Sequence, residues 1–488
     1  MTEQPEASTP SAPRPRTCVG SVWRSPAPLL LVTALLTLWS LLPTLRWLPS
    51  TSGNPPSWTG AMQDLDTSLI HAGLRQAPRF ADTLRWWTGP WVMPGIPFYR
   101  PLTSILFWLE WKAFGDREWL YGYPTLAAHA AAALLFTLLA YRLANRLEFR
   151  LPQSVGLAAA WTYLGFASPV SSREGVVNIS LVWKNQPDLF AAACCFAALI
   201  CYLRAQEGKQ GALAAAGGWY LAGCCFKEIA VPLPLVCMAL EVPAFRSDEL
   251  RNAIRRCAII LALCAGFLLW RYLAIRGIGY VYGSNDGWLQ RTLLELLGPF
   301  GVSLMGGWVG NALGVWIYGL GWIAWRVRGG NLASNAVQAP RRMLLFITCL
   351  TLIGLAGCSV LGMTVSHSAG LLEWHELASP FSWAVGLWGC LDPVVVMMTA
   401  NTLAFLLSVA ILWQRARAVL WLALAWSLAF LAPLIASPGP SHRYYLTQCG
   451  YLLLYALAAG AWLELLWSAL PRRRAQRQPV SAASPQGG

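Results

Sequence analysis

The sequence predicts an all-α, polytopic membrane protein with about twelve transmembrane helices, and three observations carry that reading. Apolar runs near the ~20 residues that a membrane span needs recur along the chain. Of the 488 residues, 56% are hydrophobic and only 12% are charged, against roughly 25% charged in an ordinary soluble domain. The mean hydropathy is +0.47. Basic residues also gather in alternate connecting segments, as the positive-inside bias requires. This composition excludes a disordered chain or a coiled coil, and argues against a water-soluble enzyme.

Taken in order, residues 1–27 are rich in Pro, Ser and Arg and read as a disordered cytoplasmic tail. No small-residue cleavage site follows them, so 28–47 is expected to stay as the first helix of the transmembrane domain 28–470. Residues 48–121 form a long outer loop. Within it Pro101–Phe114 is apolar but too short to cross, and its Trp108, Glu110, Trp111 and Lys112 suit a helix lying in the interface. The remaining spans are expected near 122–141, 154–170, 188–203, 211–226, 229–242, 257–274, 295–325, 343–365, 383–412, 418–437 and 448–469. Residues 471–488 are a second disordered cytoplasmic tail.

With the N-terminus inside, 22 of the 36 Lys and Arg fall on the cytoplasmic side, including Arg142, Arg146, Arg246, Arg255, Arg472 and Arg473. Both termini are then cytoplasmic, and the loops at 48–121, 170–187, 275–291, 365–383 and 437–447 face the outside of a plasma or inner membrane. The net charge of +14 is therefore topological, and no nucleic-acid partner is expected. The short cytoplasmic loops hold no P-loop or GxGxxG unit. Most of the 13 cysteines lie in apolar runs without a CxxC, where Cys acts as a small hydrophobe. The two halves show no clear similarity, which counts against a repeat-built transporter.

Ionisable groups near a membrane are costly and mark candidate sites. On the outer side they are Asp64 and Asp66; Arg173 and Glu174; Lys184, with Asp188 just before the fourth span; Lys227 and Glu228; and His442-Arg443-Tyr444-Tyr445. Carboxylates can accept a proton from an attacking hydroxyl, and cations can hold a departing phosphate. Each group also has a plainer reading: solvated loop carboxylates, a local Lys227–Glu228 ion pair, an interfacial Arg443 anchor. Glu373, His375 and Glu376 have a poor spacing for a metal, and no cofactor is expected. His71, His129 and His367 read as structural.

Several segments together change the balance. The run Phe98-Tyr99-Arg100-Pro101-Leu102-Thr103-Ser104, with Phe107 and Ala113-Phe114-Gly115, resembles a motif of the GT-C superfamily of membrane glycosyltransferases. It is most similar to bacterial relatives of the transmembrane-and-tetratricopeptide O-mannosyltransferases, without their repeats. Asp64 and Asp66 look like that family's acidic pair. Ala128-His129-Ala130, Ser168-Pro169-Val170 with Glu174 and Asp188-Leu189, Phe226 to Pro234 around Lys227-Glu228, and Arg443-Tyr444 with Gly450 look like its later blocks. The pair here is split by Leu65, His442 stands where an acidic residue is expected, and an insertion surrounds Val182–Pro187.

The resemblance implies a polyprenyl-phosphate-linked sugar as donor, an acceptor glycan, lipid or protein in the bilayer or beside it, and inverting transfer at the outer face. It implies Asp66 as general base and Asp64 as its helper in positioning the acceptor. Arg443, with Lys184 and Arg173, would hold the phosphate, and Glu174 would orient a cation or the acceptor. Tyr444, Lys227 and Glu228 complete the candidate substrate-binding set. Two other readings stay open: a multi-span lipid or solute transporter or flippase, and a degenerate, non-catalytic assembly protein of the same fold.

Overall fold

The structure is a computed structural model that describes residues 25–47, 65–93, 96–115, 117–166, 186–242, 249–277, 412, 421–423, 425–430 and 445–469. Among the described residues every regular element is helical. The expected spans in 278–411, residues 1–24 of the first tail, the whole of the second, and the Glu373, His375 and Glu376 group lie outside them.

The helices follow the apolar runs. They are α1 (Ala27–Trp47), α2 (Leu65–Arg75), α3 (Arg85–Thr88), α4 (Pro101–Phe114), α5 (Gly122–Arg146), α6 (Pro152–Phe166), α7 (Gln186–Gln206), α8 (Ala212–Phe226), α9 (Leu233–Glu241), α10 (Leu250–Ile275) and α11 (Tyr445–Ala469). Three of them, α5, α7 and α10, are long and apolar enough to cross a membrane. The segment expected as a span at 229–242 is shorter than anticipated. It opens as a 3₁₀ turn, Glu228–Ala230, and becomes regular α-helix only over the nine residues of α9. Pro232 precedes that helix and Pro234 sits in its first turn, where a missing N–H does no harm.

Small residues set the packing. Ala128, Ala132, Ala133, Ala140 and Ala144 of α5 are buried against α6 and α7, letting the backbones approach closely as membrane helices do. Gly460 of α11 meets α6 so tightly that a Cβ there would stand 2.1 Å from a methyl of Val155. Gly450 meets 421–430, where a Cβ would stand 2.8 Å from the Ala423 carbonyl, and Trp426 Nε1 donates to the Leu446 carbonyl at 2.8 Å beside it.

The ends of the helices are tied by polar contacts in two groups. At one end Glu241 accepts from Tyr202 at 2.8 Å and from Arg256 Nε at 2.7 Å, and Glu464 accepts from the Leu151 amide at 3.0 Å. At the other end lie the starts of α5 and α7 and the ends of α8 and α10. There the segment 65–121 forms a separate layer with its own apolar core, built on Ile70, Leu74, Trp86, Trp91, Phe107 and Trp108. The larger core of the bundle is a distinct cluster around Phe136, Tyr163, Phe196 and Trp426.

The layer's chief helix is α4, with the bounds expected from sequence. Pro101 starts it with a fixed φ, and Gly115 stops it at φ +56°. Trp108 Nε1 donates to the Ala77 carbonyl at 2.6 Å, and Ser104 Oγ accepts from the Val92 amide at 3.0 Å. Gly73 touches the same strip, since a Cβ there would stand 1.7 Å from the Val92 carbonyl oxygen.

Candidate functional site

Between the layer and the bundle sits a cluster of charges. Arg100, the residue before α4, is buried and forks onto Glu228: its Nε donates to Oε2 at 2.7 Å and its Nη2 donates to Oε1. The guanidinium lies over the rings of Phe98 and Trp91, 4.1 and 4.8 Å from their centroids, a geometry that favours a cation. Lys227 is buried and donates to Oδ2 of Asp188 at 2.5 Å. Asp188 stands in the first turn of α7 with no exposed surface.

Local backbone explains why two adjacent charges part company. Lys227 has extended geometry, φ −158° and ψ 139°, between the end of α8 and the 3₁₀ turn. Successive side chains on an extended backbone point to opposite sides. Lys227 therefore reaches α7 and Glu228 reaches the layer, and the local Lys227–Glu228 ion pair considered from sequence is replaced by two long-range pairs.

Further polar contacts close the seam. Thr103 Oγ1 donates to the Phe226 carbonyl at 2.5 Å, and Gln186 Nε2 donates to Oε1 of Glu110 at 2.7 Å. Trp270 Nε1 of α10 donates to the Tyr99 hydroxyl at 2.7 Å, which donates in turn to the Trp87 carbonyl at 3.1 Å. Arg271, the next residue on α10, feels the charges of Glu228 and Arg100. The neighbourhood thus holds three cations (Arg100, Lys227 and Arg271) against the carboxylates of Asp188 and Glu228.

Burial alone would push the Glu228 carboxyl up, but the Arg100 guanidinium outweighs it and holds the group at about 2. The Lys227 ammonium is lowered by burial, with Asp188 opposing that fall. The Tyr99 phenol is pushed up to about 12, chiefly by burial. Neutral pH therefore leaves Glu228 ionised as the counter-ion of Arg100.

Of the residues singled out from sequence, Lys227 and Glu228 stand in this cluster. Asp66 is the second residue of α2, but its side chain lies outside the described set, as do Asp64, Arg173, Glu174, Lys184, Arg443 and Tyr444 entirely. Asp188, one of the outer ionisable groups of the sequence, joins Lys227 and Glu228 from the first turn of α7. Arg100, part of the Phe98–Ser104 run, joins them as the charge directly before the Pro-initiated helix α4. Among the described residues no group of three His, Cys, Asp or Glu could hold a metal.

Deeper in the bundle, His129 of α5 has no exposed surface and stacks on Tyr163, with ring centroids 5.6 Å apart and planes at 18°. Neither of its ring nitrogens has a hydrogen-bond partner among the described residues. No protein-family model, curated protein or solved structure matches this chain.

Proposed function

We propose that the chain is a twelve-span membrane glycosyltransferase of the GT-C type, moving a hexose from a polyprenyl phosphate to an acceptor hydroxyl at the outer face of the membrane, with both termini cytoplasmic. The observation that carries the reading is the seam itself. Arg100 and Lys227, with Arg271 beside them, are gathered under a layer whose first helix carries Asp66 and which contains the helix α4. Dehydrated cations near a lipid-facing layer suit an anionic headgroup, because Arg binds phosphate in a bidentate fork.

In this reading the acceptor O–H gives its proton to the Asp66 carboxylate as its oxygen attacks the anomeric carbon. The bond from that carbon to the phosphate oxygen breaks, and polyprenyl phosphate leaves with the electron pair and one added negative charge. Attack opposite the leaving group inverts the centre. Arg100 and Lys227 supplement Arg443, Lys184 and Arg173 in meeting the new charge, and Glu228 and Asp188 hold those two cations in place between turnovers.

The test is sugar transfer from a polyprenyl-phosphate hexose in purified membranes. Asp66→Asn keeps the shape and removes the base, so the rate should fall ~10²–10⁴-fold while donor binding survives. Arg443→Ala should also cut transfer, with Arg443→Lys restoring only part of it. Full activity in Asp66→Asn and Asp64→Asn alike would refute the mechanism.

One observation favours transport as a second reading, namely that the buried ring nitrogens of His129 have no hydrogen-bond partner among the described residues, because intramembrane ionisable groups often line a path. Uptake or flipping that fails in His129→Leu, in a protein that transfers no sugar, would select it.

A further inference from the structure

Asp188 is a buried carboxylate with half of its hydrogen-bonding capacity unused. Oδ2 accepts from Lys227, while Oδ1 has no partner among the described residues and no exposed surface. A carboxylate oxygen accepts only, and leaving one unsatisfied in a dry site is costly enough that native structures nearly always fill it. Among the described residues the oxygen thus lacks a donor, and a neutral one suits it, because Lys227 already balances the charge.

Its surroundings narrow the choice. The charges of Lys227, Arg100 and Glu228 all reach Asp188, so the same small volume holds cations for an anion and an unfilled acceptor for an O–H. Glu228 is the more open member of the cluster, with its side chain 28% exposed, and Asp188 is the most enclosed at 0%. A ligand entering past Glu228 would leave its anionic group at Arg100 and put its next atoms toward Asp188. A sugar phosphate has this order, a phosphate and then a ring hydroxyl a few bonds away.

We propose that Asp188 is the hydroxyl-reading residue of this site: it accepts a hydrogen bond at Oδ1 from one ring hydroxyl of a hexosyl phosphate whose phosphate is met by Arg100 and Lys227. This deepens the glycosyltransferase reading and rests on it for the ligand class. Lys227 acts as a positioning residue, fixing Oδ2 so that Oδ1 faces the ligand. A pocket that hydrogen-bonds a substrate hydroxyl rejects the analogue lacking it far more strongly than an apolar pocket rejects a lost methylene.

The experiment measures binding by the full chain in lipid nanodiscs, with mannose 1-phosphate, glucose 1-phosphate, their single-deoxy analogues and inorganic phosphate as probes. At least one hexose phosphate should bind tighter than phosphate, and removal of one particular hydroxyl should weaken it roughly 10- to 100-fold, as for a hydrogen bond to a charged group. Asp188→Asn should weaken the parent sugar to a similar degree and lose no more with that deoxy analogue, since both changes delete one contact. The deoxy series on the unaltered chain decides the matter even if Asp188→Asn fails to fold.

Equal binding of every deoxy analogue, or no preference for sugar phosphate over phosphate, overturns the proposal and leaves Oδ1 to a trapped water. Transfer activity without hydroxyl discrimination would sink the Asp188 assignment alone. Discrimination in a chain that transfers nothing would sink the glycosyltransferase reading and leave Asp188 standing.

Discussion

Glu228→Gln tests how the layer is held to the bundle. The change keeps the side chain's shape, removes its charge and leaves a buried guanidinium without its counter-ion. Removing one partner of a fully buried pair costs about 3–5 kcal/mol. Arg100 is 9% exposed but Glu228 is 28% exposed, so water screens part of the loss, and the rings of Phe98 and Trp91 still support the cation. The expected cost is about 2 kcal/mol, which corresponds to roughly 30-fold more frequent opening. Because the layer has a core of its own, that cost should appear as faster amide exchange at its contacts with the bundle, around 98–104 and 226–230, and not in α5 or α7. Arg100→Met alone should cost a similar amount, and the double variant should cost clearly less than the sum, with a coupling of about 1–2 kcal/mol. Coupling below about 0.5 kcal/mol would refute the argument, as it would place the pair among ordinary surface ion pairs.

Other expectations follow from single features. Cysteines introduced at Ser57 and Ser247 should label from outside and inside respectively, and the opposite pattern would reverse every statement about sidedness. Gly73→Ala should loosen the layer by about 1–3 kcal/mol, since its Cβ would meet the Val92 carbonyl at 1.7 Å; faster proteolysis near Arg79 and Arg85 with an intact bundle would show it. Glu228 is an acid whose folded value is lowered from 4.5 to about 2, so its contribution is complete above about 4.5 and is lost as pH falls through about 2. Exchange in 98–104 should therefore stay slow at pH 4 and rise only toward pH 2. His129→Leu removes two buried nitrogens that have no hydrogen-bond partner among the described residues and should be neutral or stabilising in a thermal melt. A loss of activity without a loss of stability would give His129 a task.

The helices were legible because their causes are local. Pro101 and Gly115 bracket α4, and the apolar runs near 122–141 and 188–203 announce α5 and α7. The segment at 229–242 misled because its apolar run carries no record of backbone geometry, and Pro232 and Pro234 shape how the backbone enters α9. The site was legible only in its ingredients. Lys227 and Glu228 stood out as charges in an apolar stretch, but their partners lie 39 and 128 positions away, and nothing local encodes a pairing at that distance. The extended backbone at Lys227 sends the two side chains apart, and a list of neighbours cannot show that. Gly450, quoted in a motif that resembles a substrate-handling block, has a packing explanation here, as the point where α11 crosses Ala423 and Ser427.

The separate core of the layer also bears on the order of events during synthesis. Arg100 leaves the ribosome 128 residues before Glu228, which at ~5–20 residues per second is an interval of about 6–25 s. For that time its eventual counter-ion does not exist. A layer that can collapse on its own Trp86, Trp91 and Trp108 has no need to wait, and it can hold the guanidinium against Phe98 and Trp91 until α8 and the turn after it arrive. Early in its life the chain carries a finished cap over an unfinished bundle. The ion pair that joins cap to bundle forms only once Glu228 has been made, so a chain cut short before it should hold a folded cap with nothing to sit on.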